Sequence, residues 1–180
     1  MSAKGFLALI AILATTLTVL TLAAVAATTS LSNSAFAQGR EKFVANLSVS
    51  GVVPPIDSKA TGSAEFEPTT DASSISYTVN VTDINAVKAA HIHIGEIGQN
   101  GPIVVTLFKS ETPTGQVSGL LSKGNITSDK FEGPMAGKQL SDLIDVMKSE
   151  GAYVNVHTQQ NPDGEIRGQI EPAPGEEEEE

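Results

Sequence analysis

The chain has 180 residues, a formal net charge of −10 and no cysteine. Without cysteine there is no disulfide framework, no thiolate metal site and no cysteine nucleophile, so an apolar core must hold the fold together. The acidic charge repels phosphate backbones, which argues against nucleic acid as a partner.

The first 37 residues have the pattern of a signal peptide. Lys4 precedes a long apolar stretch, and the segment ends in Ala35-Phe36-Ala37, a small-x-small cleavage site. We therefore expect a signal peptide at residues 1–37 and a protein that is secreted or held at the cell surface. The alternative is an uncleaved membrane anchor, because the stretch has the roughly 20 apolar residues that a bilayer requires. Only in that case do we expect the membrane as a partner.

The rest of the chain divides into a polar lead-in at 38–42, one domain at 43–171 and an acidic tail at 172–180. The tail ends in five consecutive glutamates. Because such a segment repels itself and has no apolar side chains to bury, we expect it to be disordered.

Within the domain, apolar and polar residues mostly alternate, which predicts β-strands. The predicted strands span residues 43–53, 62–66, 74–81, 89–94, 103–108, 153–158 and 165–170. One segment has helical spacing instead: Leu140, Leu143, Ile144 and Met147 fall at i, i+3, i+4 and i+7. This predicts one short helix near 139–149 with Gly151 as its C-terminal stop, plugging one end of an all-β, Greek-key sandwich or barrel.

Several segments carry a resemblance to a known family. The central ones are residues 89–95 (AAHIHIG) and 98–108 (GQNGPIVVTLF), and the closing ones are 153–158 (YVNVHT) and 161–170 (NPDGEIRGQI). Together with the opening Leu47–Gly51, Pro54-Pro55 and Ala60–Gly62, they resemble the CHRD (chordin-type) domain. The resemblance covers about 43–170 and implies an extracellular immunoglobulin-like β-sandwich, without implying a particular activity.

All three histidines of the chain lie in these motifs. Residues two apart on a strand point to the same face, so His91 and His93 project together, with Ile92 and Ile94 toward the core. His157 shares a face with Tyr153 and Asn155. If the two strands are neighbours, three imidazoles converge, and such a cluster suits copper or zinc. The competing interpretation is that the histidines form structural hydrogen bonds to backbone carbonyls, carboxylates or each other.

Two charged residues of the last strand also share a face. Glu165 and Arg167 are expected to form an ion pair or hydrogen bonds across the closing hairpin. The alternative for Glu165 is a carboxylate that orients a metal-ligating histidine.

The sequence thus supports two functions. The first is a secreted or cell-surface β-sandwich module that binds an extracellular or envelope protein or polymer. The sequence favours a non-enzymatic role over an enzymatic one. The second is a small extracytoplasmic metal-binding protein, including a redox enzyme, that uses His91, His93 and His157. The His-x-His strand also resembles that of Cu/Zn superoxide dismutase, but that enzyme needs more histidines, an aspartate ligand and a disulfide.

Overall fold

The alternating segments of the sequence become antiparallel strands in the computed structural model, which describes residues 41–174. The predicted signal peptide, most of the lead-in and the glutamate run of the tail lie outside the described residues. The described elements are β1 (Phe43–Ser48), β2 (Thr61–Pro68), β3 (Ile75–Ile84), β4 (Val87–Ile94), β5 (Ile103–Lys109), β6 (Val117–Ile126), α1 (Leu140–Lys148), β7 (Ala152–Thr158), β8 (Ile166–Gln169) and β9 (Glu171–Pro172).

The strands form one antiparallel sheet in the order β5-β4-β7-β8-β1-β2-β3-β6, with β9 paired to β1. The sheet curls, so that its two terminal strands approach each other. Tyr77 of β3 and Ser122 of β6 both donate hydroxyl hydrogen bonds to the carbonyl of Leu107 in β5, at 2.8 and 2.7 Å. The predicted all-β class with one short helix is confirmed.

The interior of the curled sheet is apolar. Fully buried side chains include Phe43, Phe66, Ile92, Val154 and Ile166. Burying one large aliphatic or aromatic side chain contributes about 1.5–3 kcal/mol to folding. This core is what stabilises a domain that has no disulfide.

Strand β6 was not predicted from the sequence. It pairs with β3, and most of its side chains are exposed or half-buried, with Leu120 51% exposed. Because both faces of this terminal strand are partly solvated, its sequence lacks the regular alternation of apolar and polar residues that predicts a strand. The predicted strand at 43–53 was too long, because a 3-10 turn at Val49–Gly51 ends β1.

Helix α1 lies within the predicted range and buries its four apolar positions. At its start, the backbone N–H of Gln139 donates to Oδ2 of Asp142 at 2.9 Å. At its end, the left-handed residue is Glu150, with φ of 55°, rather than the predicted Gly151. The N–H of Gly151 closes the turn by donating to the carbonyl of Val146 at 2.9 Å.

The first residues of the predicted tail belong to the sheet. Pro172 pairs with Phe43, and the N–H of Ala173 donates to the carbonyl of Lys42 at 2.7 Å. Among residues 41–174, no helix has the length and apolar character needed to span a bilayer.

Candidate metal centre

Strands β4 and β7 are neighbours, and their register brings the three histidines together. His91 lies opposite Asn155, and the position two residues before it, Ala89, lies opposite His157. Ile92 and Val156 fill the core on the other face. The alternation of these two strands therefore places all three imidazoles on one face of the sheet.

The three imidazole rings are in mutual contact. Their centroids are 5.8 Å apart for His91 and His93, 5.0 Å for His91 and His157, and 5.8 Å for His93 and His157. One ring nitrogen from each residue lies within 4.8 Å of the other two. Bonds of about 2.0–2.1 Å to one ion require nitrogens roughly 3.4 Å apart. Side-chain rotations that move the ring nitrogens by about 1 Å therefore complete a site.

Backbone carbonyls fix the orientation of two of the rings. Nδ1 of His93 lies 2.9 Å from the carbonyl of Gly101, and Nδ1 of His157 lies 2.8 Å from the carbonyl of Pro162. Since a carbonyl only accepts, both Nδ1 atoms carry the proton, and both Nε2 atoms keep a lone pair. A carbonyl behind the ligating ring is a common arrangement at metal sites.

The inner nitrogens have no hydrogen-bond partner. Nδ1 of His91 and Nε2 of His93 and His157 are buried and unpaired among the described residues. An unsatisfied buried polar atom costs about 1–3 kcal/mol. Three such atoms converging on one point are what a bound cation would satisfy.

Burial also favours the neutral form of the three rings. Desolvation, together with smaller effects of His157 and His93, lowers the pKa of His91 to about 4, against an opposing effect of Glu132. Desolvation likewise lowers the pKa of His93 and of His157, although the Gly101 and Pro162 carbonyls act in the opposite direction. Neutral imidazole is the form that binds metal.

The hairpin between β7 and β8 folds over this face. Asn155 donates from Nδ2 to the carbonyl of Asp163 at 2.9 Å, next to the Pro162 carbonyl that holds His157. Gly164 has φ of 128°, and a Cβ added there would overlap the Asn155 amide. Only glycine therefore allows the hairpin to close over the face.

A buried stack of three side chains adjoins the cluster. The Tyr153 ring is parallel to that of His93, with centroids 4.9 Å apart, and Cζ of Arg167 lies 3.4 Å from the Tyr153 centroid. Arg167 is 3% exposed and donates to the carbonyls of Gln99 and Glu96, at 2.8 and 3.1 Å, and to Oδ1 of Asn100 at 3.1 Å. It thus holds the loop that carries the Gly101 carbonyl. The sequence placed Tyr153 on this face but gave no signal for the stack.

Glu165 and Arg167 do not pair with each other. The Glu165 carboxylate accepts hydrogen bonds from Ser58, Thr158 and Asn161 at 2.8, 2.7 and 3.1 Å. The predicted hydrogen bonds across the hairpin are therefore present for Glu165. Carbonyls, and not Glu165, contact Nδ1 of His93 and His157, and the alternative role of Glu165 as a carboxylate that orients a metal-ligating histidine stays a prediction.

The fold and the cluster define an all-β module that carries three convergent histidines on one face. The family model of the CHRD domain matches residues 43–170, and the chain therefore belongs to the CHRD domain family. A search of curated proteins found no match.

Proposed function

We propose that this CHRD domain is an exported metal-binding module that holds one copper or zinc ion through His91, His93 and His157. The observation that carries the proposal is the convergence of the three rings: one nitrogen from each lies within 4.8 Å of the others, and each ring has a buried nitrogen without a hydrogen-bond partner. Three protein ligands leave one coordination position for water or an exogenous ligand.

The structure favours this role over purely structural histidines. A structural role explains the Nδ1 atoms of His93 and His157, which donate to carbonyls. It does not explain the inner nitrogen of each ring, since these three atoms are buried and have no hydrogen-bond partner among the described residues. A shared cation gives all three nitrogens a partner, because neutral imidazole is the form that binds metal.

Export is part of the proposal and is supported by the N-terminal pattern of Lys4, the apolar stretch and Ala35-Phe36-Ala37. Outside the cytoplasm a cysteine-free site is suited to copper and zinc, because imidazole ligands do not oxidise as thiolates do. The proposed module acts by binding and transfer of its ion, and no catalytic step is assigned to it.

The test is metal content after loading with zinc or copper and removal of free ions. The wild-type protein is expected to retain one ion per chain, and His91→Ala is expected to retain none at the same concentration. Because the chain is acidic, non-specific cation binding needs its own control. Asp71→Asn removes an exposed carboxylate in the β2–β3 turn and is expected to retain one ion. Equal metal retention by wild type and His91→Ala would overturn the proposal.

A further inference from the structure

We propose that the three-histidine site, if it holds metal as inferred above, selects monovalent copper, Cu(I), over the divalent ions Cu(II) and Zn(II), and that Arg167 sets this preference. The inference rests on the proposed function and adds to it the charge of the ion. It follows from what surrounds the cluster rather than from the three ligands alone.

The ligands bring no negative charge. Among the described residues, the groups that converge on the site are the three histidines, with no aspartate or glutamate in the cluster. The groups behind the rings are neutral carbonyls, those of Gly101 and Pro162. A carboxylate in that position would raise ligand basicity and offset part of a divalent charge, but Glu165 bonds elsewhere.

The nearest aromatic hydroxyl already has a hydrogen-bond partner outside the cluster. Tyr153 Oη accepts the N–H of Gly101 at 3.0 Å, and its ring stacks on His93 instead of pointing an oxygen into the cluster. A phenolate ligand, which would favour a divalent ion, is therefore absent from this arrangement.

A fixed positive charge lies at the far end of the stack from His93. The Arg167 guanidinium is buried and makes no ion pair with a carboxylate among residues 41–174, since its partners are carbonyl and amide oxygens and the Tyr153 ring. It stays protonated at every pH at which proteins fold. A unit charge roughly 10 Å from the ion, at an effective dielectric constant of about 20, disfavours a divalent relative to a monovalent ion by on the order of tenfold.

Two exposed carboxylates act in the opposite direction, and Asp163 is the one on the His157 side. Glu132 lies on the His91 side, where its Oε1 accepts the hydroxyl of Thr106 at 2.7 Å, Thr106 being the β5 neighbour of His91. Glu132 and Asp163 are exposed, so solvent screens their charges more than that of the buried Arg167. The least screened charge near the cluster is therefore positive, and it favours the lower ionic charge.

The experiment measures the affinities of the full-length protein for Cu(I), Cu(II) and Zn(II) by competition with chelators of known affinity, with Cu(I) handled without oxygen. The wild-type protein is expected to bind Cu(I) most tightly. Arg167→Gln keeps a donor for the loop carbonyls but removes the charge, and it should lower the Cu(I)-to-Cu(II) affinity ratio by about tenfold, which is about 59 mV in the copper potential. Arg167→Lys keeps the charge and should keep the ratio.

Two outcomes separate this inference from the proposed function. If divalent ions bind more tightly than Cu(I), or if Arg167→Gln leaves the ratio unchanged, the selectivity is overturned while the metal site stands. If no ion binds, both fall. Should Arg167→Gln fail to fold, the wild-type affinities carry the test. Tighter binding of Cu(II) or Zn(II) than of Cu(I) overturns the inference, and tighter binding of Cu(I) supports it.

Discussion

The Tyr153 ring lies flat on the His93 ring, with an interplanar angle of 11° and centroids 4.9 Å apart. The two residues are opposite each other on β7 and β4. Because Tyr153 also accepts the N–H of Gly101, whose carbonyl holds Nδ1 of His93, one side chain supports the histidine through both its ring and its loop. The orientation of His93 therefore depends on Tyr153.

Two substitutions at Tyr153 separate these contributions. Tyr153→Phe keeps the stack and removes one hydrogen bond, so we expect a loss of about 1 kcal/mol in the free energy of unfolding and little change in metal affinity. Tyr153→Leu removes the stack as well, and we expect metal affinity to fall by about 10-fold or more, as for other residues that orient a ligand. Urea unfolding and metal competition measure the two effects. Equal metal affinity in the two variants would show that the ring does not position His93.

The stability of the metal-free protein is expected to fall as the pH is lowered from about 6.5 to about 4. Burial lowers the pKa of His91 to about 4, whereas an unfolded histidine titrates near 6.5. The unfolded chain therefore binds protons first, and acid favours unfolding through this window. His93 and His157, whose pKa values are also lowered by burial, add to the same effect.

The measurement is the free energy of unfolding at several pH values in the presence of a chelator. His91→Gln removes one titrating group and should flatten the pH dependence between 4 and 6.5. Asp71 and Asp129 also have lowered pKa values, but the stability that such carboxylates contribute is lost mainly as the pH falls below their ordinary value of 3.8. A stability that stays constant down to pH 4.5 would contradict the burial of neutral imidazoles.

Much of the site was predictable because it depends on strand periodicity. The i, i+2 spacing of His91 and His93 fixes their common face, and the same rule places His157 on the same face of its strand as Tyr153. Their convergence further requires β4 to lie next to β7, which are separated by β5, β6 and α1 in the chain. Local patterns do not specify such a pairing. It was therefore a condition of the metal hypothesis and not a result of the sequence.

The groups that orient the rings were not predictable from residue types. The partners of His93 and His157 are backbone carbonyls, which every residue has, so only the path of the loops identifies Gly101 and Pro162. The pairing expected between Glu165 and Arg167 failed for a related reason. Glu165 instead bonds to Thr158 and Asn161 of the hairpin and to Ser58, whereas Arg167 bonds to the loop that contains Gln99.

The end of helix α1 offers a stabilising substitution. Glu150 has φ of 55°, a left-handed conformation that is unfavourable for a residue with a Cβ and free of cost for glycine. Glu150→Gly is therefore expected to raise the free energy of unfolding by up to about 1 kcal/mol. Glu111→Gly, an exposed loop glutamate with ordinary φ, is the matched control and should lower it. Thermal unfolding of both variants decides the matter, and destabilisation by Glu150→Gly would refute the conformational argument.

Gly164 provides a test of how the hairpin supports the metal site. A Cβ at this position overlaps the Asn155 amide, and the φ of 128° is unfavourable for alanine. Gly164→Ala should therefore displace the hairpin, including the Pro162 carbonyl that fixes His157. Since groups that orient a ligand typically account for 10–100-fold in metal affinity, we expect a loss of about that size together with a loss of about 1–3 kcal/mol in stability.

The matched control is Gly115→Ala, because an added Cβ there meets no atom within 4 Å and the residue has no left-handed conformation. It should leave metal affinity unchanged. The destabilisation alone does not distinguish a structural from a metal-orienting role, so the decisive quantity is affinity measured under conditions where both variants are fully folded. If folded Gly164→Ala binds zinc or copper as tightly as Gly115→Ala does, the hairpin does not orient His157, and the carbonyl of Pro162 is a structural contact only.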